Sequence, residues 1–222
     1  MASTDSTPAL ISRGRAVTAR ERIDQTAYAL FSRRGIRAVG VDEVVARSGV
    51  AKMTLYRHYP SKGHLALAFL RRREELWTRG WLQAEVERRG GPPAARLLAI
   101  FDVFDKWFRR SDFEGCSFIN VLLEIDDEKN PVRIAAVAHL ATIRAFLRQL
   151  AVDAGISSAD SFARRWHILM KGSIVAAGEG DVEAALRARE IGRLLLAHEG
   201  VLEPEPVART GVARPVRKHR VR

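Results

Sequence analysis

One cysteine, Cys116, stands among 222 residues, so no intramolecular disulfide can form and the disulfide-stapled secreted scaffolds are excluded. Nowhere do apolar and polar residues alternate with period two, which leaves strands without a basis in the sequence. No apolar run approaches eighteen residues and no signal-peptide pattern is present; the expectation is a cytoplasmic protein with no membrane partner. His139 and His167 lack companions at metal-ligand spacing, and no Ser-His-Asp or paired-carboxylate constellation is legible. The chain is therefore expected to have no catalytic site, no metal and no cofactor.

What is plentiful is helical patterning and positive charge. With 47% hydrophobic residues, a chain of this length can bury a sizeable core, and a small module fused to a larger one fits. The formal charge is +11, and it is segregated. Residues 13–73 carry fourteen Lys/Arg against four Asp/Glu, a net of +10, whereas residues 74–202 carry seventeen against nineteen, a net of −2. Charge gathered in one module points to a polyanion, because phosphate neutralisation with counterion release supplies most non-specific DNA affinity.

The basic module reads as helix, turn, helix. Thr18 and Glu21 make a capping-box pattern ahead of Ile23, Ala27, Leu30 and Phe31 at helical spacing, and Gly35 closes this first helix. A second helix starts near Val41-Asp42, where free backbone N–H groups at a positive helix end suit a phosphate. Asp42 reads as its capping acid, and Gly49 stops the helix with the φ > 0 freedom of a tight turn. The third helix, about Lys52 to His58, buries Leu55 and presents Met53, Thr54 and Arg57, before Pro60 ends it. A helix this short is not stable alone, so its basic, hydroxyl and aromatic outer face suggests a reader of another surface.

Beyond it, a longer helix runs from Ser61 through Leu65, Phe69, Leu70, Trp77 and Trp81, joining the two modules, and Gly90-Gly91-Pro92-Pro93 marks the clearest break. The next helix, with Leu97, Leu98, Phe101, Phe104, Trp107 and Phe108, is apolar on more than one stripe, so it is buried on several sides or lines a cavity. Gly115–Leu123 forms another apolar helix, and after the polar loop 126–131 a long helix places Ile134, Val137, Leu140, Ile143, Phe146, Leu147 and Leu150 at core spacing. Two last helices span about Ser158 to Ala177 and Asp181 to His198. The fold class is all-α, with about nine helices. The organisation is a disordered arm at 1–17, a helix-turn-helix domain at 18–64, a helical body at 65–202 and a disordered basic tail at 203–222.

The run Gly49, Val50, Ala51, Lys52, Met53, Thr54, Leu55, Tyr56, Arg57, His58, Tyr59, Pro60, Ser61, Lys62 and Leu65 resembles, in order and spacing, the amino-terminal domain of the TetR/AcrR-type transcriptional regulators. The resemblance implies a DNA-binding regulator in which Lys52, Met53, Thr54 and Tyr56 meet base edges or backbone in the major groove, while His58 and Lys62 grip phosphates. Arg57 occupies a variable family position with a guanine reader or phosphate clamp. Ala51 departs from the family's capping serine and Met53 from its glycine. Gly115-Cys116-Ser117-Phe118-Ile119-Asn120 is similar to a run in some of the family's regulatory domains. By that similarity the body encloses an effector pocket involving Phe101, Phe104, Trp107, Phe108, Cys116, Phe118, Asn120, Trp166 and Met170, and the last two helices pair with their copies in a homodimer. The partners implied are a double-stranded DNA operator and a small, largely apolar effector. A sensor-less architectural DNA-binding protein and an electrophile- or redox-responsive regulator acting through Cys116 are the alternatives. Most of the rings are read as plain core filling and Cys116 as a small buried hydrophobe.

Overall fold

The computed structural model describes residues 16–202, which form nine helices and no strand. The expected arm, except Ala16 and Val17, and the tail at 203–222 lie outside the described residues. Helix α1 (Ala19–Ala38) begins with the anticipated capping box: Thr18 Oγ1 accepts from the Glu21 N–H and the Glu21 carboxylate accepts from the Thr18 N–H. Its backbone leaves helical geometry at Gly35, with φ +78°, although the helical assignment continues to Ala38. Helices α2 (Val41–Ser48) and α3 (Lys52–His58) pack on α1. Ile23, Ala27, Phe31, Val44, Leu55 and Leu65 form the buried centre of this head.

Helix α4 joins head to body. It starts as Lys62–Arg73, widens into i→i+5 turns over Glu74–Gln83 and ends as Ala84–Arg89. The expected domain boundary at 64/65 thus falls in its first turn. The wide-turned stretch has no counterpart in the sequence reading, because it keeps nearly the apolar spacing of an ordinary helix; such widenings often occur at functional sites. Helices α5 (Pro93–Phe108), α6 (Ser117–Glu124), α7 (Pro131–Asp153), α8 (Ala159–Gly178) and α9 (Ala184–His198) complete the body. In it α7 packs on α8, and α9 packs on both α5 and α8. Pro93 and Pro131 each stand in the first turn of their helices, where a missing N–H costs nothing.

Two expectations for α7 need correction. Ile134 and Val137 face outward, 54% and 48% exposed, and the buried face is Val132, Ala136, Leu140, Ile143, Leu147 and Leu150. Three- and four-residue spacing fits more than one stripe of a helix rich in alanine, and packing against α6 and α8 selects one of them. The same helix is long and apolar enough to cross a membrane by length and composition, with a mean hydropathy of 1.2. Arg133, Arg144 and Arg148 interrupt it, so no continuous apolar run registers in the sequence.

Candidate nucleic-acid interface

The turn between α2 and α3 is made by Gly49, whose φ of 64° and ψ of 32° lie in the left-handed region that a Cβ disfavours. Arg22 Nε donates to the carbonyl of Ser48 at 3.2 Å and so holds the end of α2 to α1. From the turn, α3 is anchored by one fully buried side chain, Leu55. At its N-terminus Ala51 supplies no side-chain cap, as its methyl group dictates.

The outer face of α3 is donor-rich and open. Met53 is 74% exposed and Tyr56 37%, Arg57 and His58 are exposed, and Thr54 is half-buried. Lys52 is exposed but partnered: its Nζ lies 2.7 Å from an Asp42 carboxylate oxygen. That carboxylate raises the Lys52 pKa through a hydrogen bond and direct attraction. Asp42, expected as the capping acid of α2, makes no cap hydrogen bond: Gly40 occupies the cap position, and the carboxylate orients Lys52 instead. Val41 is half-buried against the core, so only its backbone N–H can serve an anion. Arg34 of α1 and Arg47 of α2 both pair with Glu43, at 2.7 and 3.2 Å.

Tyr59 closes α3 and turns inward, almost fully buried, with its hydroxyl donating to Asp24 and the Arg20 guanidinium over its ring. Burial first, then the Asp24 carboxylate, pushes the Tyr59 pKa up, so the phenol stays a donor. Sequence reasoning assigned no role to this trio; the i,i+4 placement of Arg20 and Asp24 was the available signal. Lys62, expected to hold a phosphate, is half-buried, and its Nζ donates to the Arg37 carbonyl at 3.2 Å.

The residues expected to line a pocket are core residues in this structure. Phe101, Phe104, Trp107, Phe108, Cys116, Phe118, Trp166 and Met170 are all buried and Asn120 is half-buried. They form linked neighbourhoods, with Phe101 and Phe104 in edge contact at 6.4 Å between them. Phe104, Trp107 and Phe108 cluster with Trp77, Trp81 and Phe113 at ring distances of 4.8–6.2 Å. Phe101 lies 5.4 Å from Trp166, which stacks on Phe162 at 5.3 Å. Phe118 faces the ring of His139, whose Nδ1 meets Glu74 from the wide-turned part of α4. Three surface clefts among the described residues, of about 180, 590 and 460 Å³, are lined by other residues than these nine. Burial pushes the Cys116 thiol pKa up despite nearby backbone N–H groups. Buried just before α6, Cys116 packs as a small hydrophobe.

Comparison with known proteins gives this geometry a family. A model described as "Bacterial regulatory proteins, tetR family" matches residues 23–69, and one described as "Tetracyclin repressor-like, C-terminal domain" matches residues 93–191. The crystal structure of SCO4454, a TetR-family transcriptional regulator from Streptomyces coelicolor, superposes with a TM-score of 0.73 at 26% identity, covering 81% of this chain and 89% of that one. Two curated relatives come from Mycolicibacterium smegmatis (strain ATCC 700084 / mc(2)155). The HTH-type transcriptional activator FasR is 44% identical over 55 residues, 25% of each chain. The HTH-type transcriptional repressor KstR is 38% identical over 95 residues, 41% of this chain and 44% of its own length. The chain thus spans between a quarter and under half the length of the curated relatives it matches. With a head and a body each matched in chain order and the fold shared over most of its length, the chain belongs to the TetR family of bacterial DNA-binding transcriptional regulators.

Proposed function

We propose that the protein is a homodimeric repressor whose operator is released when a small, largely apolar effector binds the body. The observation that carries the reading is the outer face of α3, where Met53, Tyr56, Arg57 and His58 stand exposed on a helix anchored from behind by Leu55. Docked in a major groove, Lys52, Met53, Thr54 and Tyr56 meet base edges or the sugar-phosphate backbone. Arg57 reads a guanine or clamps a phosphate, His58 and Lys62 hold phosphates, and the Val41 N–H at the start of α2 receives another.

Dimerisation through α8 and α9 is supported by large apolar side chains left in water there. Ile168, Val175, Ile191 and Leu194 are 65%, 52%, 49% and 69% exposed. Covering such surface is favourable by about 25 cal/mol per Å². An effector is supported by polar atoms in the body that are buried without a partner among the described residues: Trp77 Nε1, Thr78 Oγ1, Ser117 Oγ, Trp166 Nε1 and His167 Nδ1. Each such group typically costs about 1–3 kcal/mol. A mostly apolar molecule with one or two polar atoms answers both the rings and these groups, and its entry moves rings now in contact. Release follows from geometry, since two recognition helices must match half-sites roughly 34 Å apart.

The test uses a duplex selected from random DNA and a panel of small aromatic and aliphatic compounds. One compound is expected to release the duplex, and the duplex is expected to weaken that compound's binding by the same factor. Trp107→Ala or Phe118→Ala, once shown folded, should change the compound concentration needed while leaving ligand-free DNA affinity within about tenfold. Absence of release by any compound favours the sensor-less architectural reading instead.

A further inference from the structure

Glu124, the last residue of α6, reaches out of the body to the last turn of α1. Its Oε2 accepts from the Arg37 N–H at 2.7 Å. On the other side of the same residue, the Arg37 carbonyl accepts from Lys62 Nζ at 3.2 Å. Arg37 is thus held by an acid from the body at its N–H and by a base from the first turn of α4 at its carbonyl. Gly35 makes room for this arrangement, because a Cβ there would lie 2.0 Å from Glu124 Oε1, and its φ of +78° already disfavours any other residue.

We propose that Glu124 is a positioning residue for DNA binding, acting through the Arg37 backbone to hold Lys62 with its ammonium aimed for a phosphate. The inference rests on the reading of Lys62 as a phosphate contact. An ammonium has three donors, so the bond to Arg37 leaves two for a phosphate. A carboxylate accepting from the N–H of Arg37 restrains that stretch of backbone, and an anion so close to the chain favours the charged form of Lys62. Partial burial lowers the Lys62 pKa, and attraction to Glu124 opposes that shift. Glu124 stands at the far end of the helix that opens with Ser117 and Phe118. A displacement of α6 in the body is therefore delivered to a side chain on the DNA-facing head.

A double-mutant cycle on the full chain tests this, with binding to a fluorescein-labelled 30-base-pair duplex followed against salt. Lys62→Ala is expected to lower the salt slope by about one. Glu124→Ala is expected to weaken binding severalfold and to abolish most of the further effect of Lys62→Ala, while Glu124→Gln, which keeps a carbonyl acceptor, recovers most of the loss. Gly35→Ala should behave as Glu124→Ala does. Amide exchange at Arg37 gives a readout independent of DNA, expected to accelerate at least tenfold in Glu124→Ala and little in Glu124→Gln. Additive effects of Glu124→Ala and Lys62→Ala overturn the proposal, as does unchanged Arg37 exchange in Glu124→Ala. If Lys62→Ala leaves affinity and slope untouched while Arg57→Ala weakens binding, the phosphate reading of Lys62 fails and the proposal falls with it.

Discussion

Helices α3 and α5 carry the most telling side chains of the two halves, and they are built on opposite plans. Along α3 a single side chain, Leu55, is fully buried, while Met53, Tyr56, Arg57 and His58 stand in water. Along α5, Leu97, Leu98, Ile100, Phe101, Val103, Phe104, Trp107 and Phe108 are all buried. A substitution on the outer face of α3 removes almost no native contact, so its effect must appear in what the chain binds. A substitution in α5 removes packing first. The head is thus a surface held by a few anchors, and the body is a packed interior whose rings must shift before anything else can enter.

That contrast can be broken at several points. The largest effect is expected in the body: Trp166→Ala, at a fully buried ring against Phe101 and Phe162, should cost about 3–5 kcal/mol of stability in a denaturant titration. Next comes Tyr56→Phe combined with His58→Ala, which should weaken operator binding by about 2–4 kcal/mol, given about 1–3 per good contact. Its melting temperature should match the parent's, since both side chains are exposed; a large drop in melting temperature would erase the distinction drawn between the helices. Gly192→Ala should then cost about 1–3 kcal/mol by overpacking, because the new methyl would sit 2.8 Å from the Trp166 ring and 3.3 Å from Phe101.

A smaller and pH-dependent effect concerns His167. Burial, reinforced by Lys171 and Arg144, holds its pKa down to about 3. The unfolded chain, with a histidine near 6.5, binds the proton more readily, so stability is full above about pH 6.5 and falls as pH drops toward 3. At pH 5 the loss relative to pH 7 should be about 2 kcal/mol. Thermal melts of the parent and of His167→Asn check the sign: the variant should lose part of this acid sensitivity. A parent whose stability rises on acidification over that range would contradict the burial.

The head was nearly all legible in the sequence, because its signals are local. A capping box, a glycine turn and a proline stop are each set within a few residues, and the observed bounds of α2 and α3 fall at Val41–Ser48 and Lys52–His58. What escaped there is pairing across elements: Lys52 with Asp42, Tyr59 with Asp24, Lys62 with Arg37. Such contacts depend on how α1, α2 and α4 are oriented, which spacing along the chain does not encode. In the body, helix number and order were readable from periodicity, but the grouping of the rings was not. Trp77, Trp81 and Phe113 join the α5 cluster through the wide-turned stretch of α4 and the loop before α6, and neither has a sequence signature. The outward turn of Ile134 and Val137 shows the same limit, since an alanine-rich helix offers two apolar stripes and only its neighbours choose between them.

Whether two copies of the open α3 face read successive major grooves is decided by a hydroxyl-radical footprint on duplexes selected from random DNA. Two protected half-sites about one helical turn apart are expected, with two chains per duplex, and loss of both protections together in Arg57→Ala. Selected duplexes with no common sequence, coated evenly along their length, would contradict that docking.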